Sequence, residues 1–85
     1  MKKIKFWQEA LEDYKEWANT DTKIYRKIAK LIEDIQNQPF EGLGKPEPLK
    51  HDYQGFWSRR ITQEHRLVYK VTDEEIIIVS CKYHY

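Results

Sequence analysis

One carboxylate, one imidazole and three fixed cations gather in the second half of this sequence: Glu47, Lys50, Arg60, Arg66 and His84. Those types together suit cleavage of RNA by the adjacent 2′-hydroxyl. The reaction needs a base to take the 2′ proton, an acid to protonate the departing 5′ oxygen, and positive charge around the pentacoordinate phosphorane. It requires no metal and no cofactor, and none is expected here. Glu47 stands between Pro46 and Pro48, which fix their own φ angles and push Glu47 toward an extended backbone. It reads either as a positioned base or as a solvated loop glutamate. His84 reads either as a proton donor near neutral pH or as a histidine half packed on a sheet edge. Arg66 begins a strand after a turn, so a rigid backbone aims its guanidinium fork at phosphate oxygens, or else it pairs on the surface with Glu64 or Glu47.

Lys50 and Arg60 are RNA-backbone contacts or solvated cations, with nothing in their spacing to separate the two. Arg59 faces away from Arg60 if the strand is regular, and is left out of the site. Tyr85 can stack on an unpaired base or bond a phosphate, or it is a packed aromatic. His51 and His65 read as ordinary turn or strand residues without an acid role. Trp7, Trp17, Trp57, Phe56 and Tyr69 follow helix and strand periods and are assigned mainly to the core.

These side chains need a scaffold, and the apolar pattern supplies one. Residues 3–6 form a candidate short strand, after which Leu11, Tyr14 and Trp17 recur at three-residue spacing, predicting a helix over 8–18. Asn19, Thr20 and Asp21 break that helix and offer an N-cap to a second, where Ile24, Ile28, Leu31, Ile32 and Ile35 share one face and Pro39 ends the run. Residues 39–48 hold three prolines and two glycines and predict an ordered loop. Strands are predicted over 49–51, 56–62, 66–72 and 76–84, joined by short turns that imply an antiparallel meander. The run Ile76, Ile77, Ile78, Val79 should anchor the tail that carries His84. Alternation sends Arg66, Val68 and Lys70 to one face and Leu67, Tyr69 and Val71 to the other. The expected fold is α+β, with two N-terminal helices covering one face of an antiparallel sheet and the other face open.

Composition narrows the alternatives. A chain of 85 residues supports one small domain, here the whole of 1–85, burying roughly 60% of its extended surface. Three Trp, six Tyr and three Phe are many for that length and fill a small core efficiently. The net charge of +1 conceals an uneven second half, where residues 42–72 carry six basic and three acidic side chains, a local basic patch. A single cysteine, Cys81, allows no intrachain disulfide and no zinc framework. With no signal peptide and no membrane-length apolar run, the expectation is a soluble cytoplasmic protein.

The unbroken run Pro46, Glu47, Pro48, Leu49, Lys50, His51 is highly specific, as is the stretch from Ser58 through Arg59, Arg60, Ile61, Thr62, Gln63, Glu64, His65 and Arg66 to Tyr69. With Tyr14, Trp17, Asp21 and the ending Tyr83, His84, Tyr85, these residues closely resemble the Txe/YoeB toxins of the RelE superfamily over nearly the whole chain. The resemblance implies the RelE-like microbial RNase fold and a ribosome-dependent endoribonuclease. Such an enzyme cuts mRNA in the ribosomal A site and is neutralised by a YefM-like antitoxin. It implies Glu47 as general base, His84 as general acid and Arg66 as transition-state stabiliser, with Lys50, Arg60 and Tyr85 on the RNA. Homodimerisation is expected on the same ground, and DNA contact belongs to the antitoxin. Leu43 before Gly44 and the lengthened start near Trp7 depart from the family pattern, away from these positions. The competing reading is a non-catalytic RNA- or partner-binding module that blocks translation by occupancy. A DNA-reading regulator is more distant, because neither helix concentrates basic residues on one face.

Overall fold

Ile4 and Phe6 alternate with lysines along strand β1 (Lys3–Phe6) and pack against the core. The computed structural model describes residues 1–83, so the expectations for His84 and Tyr85 lie outside the described residues. Helix α1 (Gln8–Thr20) follows, and Asp21 then ends it and starts α2 (Thr22–Asn37) in one residue. The Asp21 backbone is extended and its carboxylate accepts from the Lys23 and Ile24 amides at 3.1 and 3.2 Å, satisfying two otherwise orphaned donors. Ile28, Leu31, Ile32 and Ile35 form the buried stripe of α2. Each contributes about 1.5–3 kcal/mol by leaving water.

The remaining strands are β2 (Glu47–Pro48), β3 (Trp57–Arg60), β4 (Arg66–Val71) and β5 (Glu75–Ser80), in the spatial order β1-β5-β4-β3-β2. The pairs β2–β3, β3–β4 and β4–β5 are antiparallel, as the short turns predict, but β1 runs parallel to β5, so the sheet is mixed. With β4 on one side of β5, β1 takes the other, and both helices intervene in sequence between β1 and the rest, so no hairpin imposes its direction. Strand boundaries differ from expectation, with β3 shorter than the predicted 56–62 and the largest departures at β2 and β5. The strand predicted over 49–51 is instead the two-residue β2, followed by a 3-10 turn over His51–Tyr53 in which His51 has φ +57°. Pro48 is tolerated because β2 is an edge strand. The last strand stops at Ser80 rather than running on toward His84, and Tyr83 turns the chain with φ +59°.

Leu67 and Tyr69 lie in the core with Val71 packed against them, so the predicted alternation of β4 holds. Ser58 and Val68, paired across β3 and β4, are also buried, so the face away from the helices is not exposed throughout. Trp17, Trp57 and Tyr69 join the core, but Trp7 is 50% exposed, against expectation. It continues the outward phase of β1, beyond Lys3 and Lys5, and its ring meets Phe56 edge to face at 6.3 Å.

Residues 38–44 close around one guanidinium. Arg59, fully buried, donates from Nη1 to Asp34 Oδ2 at 2.5 Å and to the Leu43 carbonyl at 3.0 Å. Its Nη2 donates to the carbonyls of Gln38 and Glu41 at 2.6 and 2.8 Å, and its Nε to the Tyr69 hydroxyl at 3.2 Å. Tyr69 in turn donates to the Pro39 carbonyl at 2.6 Å. Asp34 accepts further bonds from Gln38 Nε2 and the Leu43 amide, both at 3.0 Å. Further along, the Arg60 amide donates to the Gly44 carbonyl at 2.6 Å. Gly44 has φ +76°, and a Cβ there would lie 2.9 Å from the Arg60 carbonyl oxygen.

Three outcomes follow from this anchorage. Asp34→Ala strands the Arg59 charge and should lower unfolding free energy in urea by about 3–5 kcal/mol, while Gly44→Ala should cost about 1–3 kcal/mol through strain and close approach. The Gln38 side chain, aided by Arg59, holds the Asp34 carboxyl below its ordinary 3.8. Its stabilising contribution is complete above that value and is lost as pH falls through the lower folded one, so Asp34→Asn should flatten the acid limb of a stability–pH curve.

Candidate active site

The register of β2, β3 and β4 decides which candidates meet. Glu47 pairs with Ser58, Ser58 with Val68, and Arg60 with Arg66. Directly opposed residues share a face, and Ser58 and Arg60 are two apart on one strand, so Glu47, Arg60 and Arg66 all lie on the face away from the helices. Regular strand spacing puts the Glu47 and Arg60 Cα atoms roughly 8 Å apart and those of Glu47 and Arg66 roughly 12 Å apart. Long side chains bridge such gaps to a phosphodiester between them.

Glu47 is exposed, and its strand is tied down on both sides. Before it, the Gly44 carbonyl is bonded to Arg60; after it, the Leu49 amide donates to the Phe56 carbonyl at 2.9 Å and the Leu49 side chain is buried. Glu47, Pro48, Leu49, Lys50 and His51 line an open depression of about 290 Å³. Lys50 is thus brought beside Glu47, exposed at the start of the 3-10 turn. A larger depression of about 550 Å³ lies elsewhere, lined by Met1, Lys2, Lys3, Gln36, Asp73 and Glu74. It contains none of the candidate residues, and Lys2 Nζ there is bonded to the carbonyls of Thr72 and Asp73.

Arg60 and Arg66 oppose each other as like charges, an arrangement that is unfavourable without an anion to share. Among the described residues, neither has a carboxylate within ion-pair distance, so the pairing of Arg66 with Glu64 or Glu47 does not occur. Arg66 Nη1 instead donates to the carbonyls of Thr62, Gln63 and His65 at 2.7, 3.1 and 3.1 Å. Those bonds orient the guanidinium through one terminal nitrogen, and its Nε and Nη2 make no hydrogen bond among the described residues. His84 and Tyr85, expected as acid and RNA contact, lie outside the described residues.

Other chemistry finds little support among the remaining groups. Burial pushes the Cys81 thiol up to about 12, and its Sγ donates to the Ala10 carbonyl at 3.5 Å, so it is a protonated packing residue. Among the described residues, no three His, Cys, Asp or Glu side chains come together as a metal site. Lys70, which the sequence reading did not select, shares the outward face with Arg66, its Nζ lying 5.7 Å from the Phe56 ring centroid. Its alternation with Arg66 was the signal that could have found it.

A profile describing the YoeB-like toxin of bacterial type II toxin-antitoxin systems matches residues 6–85. Toxin YoeB of Escherichia coli (strain K12) is 57% identical over 83 residues, covering 98% of this chain and 99% of that protein. Among solved structures, a YoeB dimer from Staphylococcus aureus is 49% identical with a TM-score of 0.92, covering 99% of this chain and 98% of that one. The YoeB-YefM complex from the same organism contains a chain 48% identical with a TM-score of 0.91, covering 100% of this chain and 99% of that one. Agreement in sequence and fold over essentially the full length establishes that this chain belongs to the YoeB toxin family of type II toxin-antitoxin systems.

Proposed function

We propose that the whole chain, residues 1–85, acts as one metal-independent endoribonuclease domain that cuts mRNA in the ribosomal A site and so stops translation in the cytoplasm. The observation that carries this reading is the shared outward face of Glu47, Arg60 and Arg66, where two opposed arginines have no carboxylate partner among the described residues. Such a face suits a phosphodiester, and a surface ion pair would have used the arginines up. Glu47 takes the 2′ proton as the 2′ oxygen attacks phosphorus. Arg66 and Lys50 stabilise the extra negative charge of the phosphorane, and His84 gives its proton to the 5′ oxygen as the P–O5′ bond breaks. Arg60 and Tyr85 hold the RNA. The products are a 2′,3′-cyclic phosphate and a free 5′-hydroxyl.

The ribosome has a physical part in this reading. An open depression of about 290 Å³ encloses little of an RNA chain, so the small subunit supplies the remaining walls and holds the codon in line for attack. A YefM-like antitoxin is the expected partner, since a 48% identical relative has been solved in such a complex, and a second copy of this chain is a further expected partner from the related dimer.

Primer extension on a defined mRNA in a purified translation system tests the enzyme. Wild type should cleave on ribosomes and leave naked RNA intact, while Glu47→Gln and His84→Gln should each slow cleavage by about 10²–10⁴-fold. Undiminished cleavage by both variants would retire the acid/base pair. Blocked translation without cleavage would favour a binding module that acts by occupancy. A single-turnover assay on preassembled ribosomes, with their integrity checked, should proceed unchanged when EDTA is added with the toxin.

A further inference from the structure

We propose that His65 is a positioning residue: its Nδ1 holds the Tyr83 amide and thereby fixes the attachment point of His84. The inference rests on the nuclease reading, in which His84 supplies the leaving-group proton. His65 is only 6% exposed, and its Nδ1 accepts from the Tyr83 amide at 2.8 Å. That bond requires the tautomer with its proton on Nε2, which faces Glu64 Oε1 at 3.5 Å. The ring is wedged edge-on against Trp17, centroids 4.9 Å apart at 72°, and lies 5.2 Å from the Tyr83 ring. A buried imidazole held on several sides, with a backbone amide on one nitrogen, is a built anchor.

The rest of the segment is tied in the same way. Trp17 Nε1 donates to the Cys81 carbonyl at 3.0 Å, and the Arg66 amide donates to the Tyr83 carbonyl at 3.1 Å. Tyr83 is therefore gripped at both its amide and its carbonyl, by two consecutive residues. It adopts φ +59°, a strained conformation for a side-chain-bearing residue that persists only where neighbours impose it. The second gripping residue is Arg66, whose side chain serves the phosphate in the proposed mechanism. One short backbone segment, 65–66, thus ties the residue before the acid to the residue that steadies the phosphorane. Covalent geometry keeps consecutive Cα atoms within about 3.8 Å of each other, so a loosened Tyr83 frees the residue bonded to it.

The test uses the full chain on programmed ribosomes, with two readouts: single-turnover cleavage, and hydrogen exchange of the Tyr83 amide by NMR. His65→Phe keeps the ring against Trp17 but removes the acceptor, whereas His65→Asn keeps an acceptor near the Nδ1 position. His65→Phe should lower the cleavage rate by about 100-fold with half-saturating ribosome concentration unchanged. Its Tyr83 amide should exchange about tenfold faster, and His65→Asn should recover both properties in part. Trp17→Phe, which removes the donor to Cys81 and trims the ring packed against His65, should show a milder form of the same pattern and serves if His65→Phe does not fold. Wild-type cleavage by a variant whose Tyr83 amide has lost protection would overturn the proposal. So would slowed cleavage with protection intact, or equal failure of the Asn and Phe variants in folded protein. If wild type itself fails to cleave on ribosomes, the nuclease reading fails and the positioning role with it, while amide protection would still report the anchor.

Discussion

A buried guanidinium organises this small protein. Removing the Arg59 charge from water is expensive, and the attraction of one carboxylate rarely repays it. Here Asp34, three loop carbonyls and the Tyr69 hydroxyl together accept its donors, so the charge is solvated by the protein itself. The consequence is geometric. Those carbonyls belong to residues 38–43, a stretch without regular secondary structure between Asn37 and Glu47 that has few other ways to satisfy its backbone. The loop is ordered because Arg59 is buried, and Arg59 is tolerated in the core because the loop wraps it. Helix α2, the loop, β3 and β4 are all joined at that one side chain.

From there the constraint reaches the candidate site. The loop bound to Arg59 leads directly into β2, where Glu47 lies across from Ser58, one residue from Arg59 itself. Arg59 and Arg60 are chemically the same side chain with opposite fates: one fully buried beneath the sheet, the other exposed above it. The two-residue period of the strand separates a structural cation from a candidate substrate-binding one. A domain this small has one sheet, so its two faces divide the work between a helix-covered core and an outward surface bearing Glu47, Arg60, Arg66 and Lys70.

The chain end beyond β5 depends on a different set of ties. Trp17, His65 and the Arg66 amide hold residues 81–83 beyond the last strand, where sheet pairing has already ended. Apolar strand residues were expected to anchor the tail. Instead the anchorage passes to hydrogen bonds from an indole and a backbone amide and to an imidazole acceptor, with strain at Tyr83 absorbed by them.

The sequence alone determined what local periodicity and short motifs can encode. The stripe Ile28, Leu31, Ile32, Ile35, the Asp21 cap, the alternation of β4 and the opposition of Arg59 to Arg60 were all legible, because each depends on neighbours a few residues away. The family was legible too, from runs such as Pro46 through His51. Tertiary structure decided the rest. Nothing local marks Arg59 as the partner of Asp34, sets β1 parallel to β5, turns Trp7 outward or joins His65 to Tyr83, since these link residues 18 to 72 positions apart. Contacts of that kind carry no sequence period, and they exist only once the chain has closed on itself.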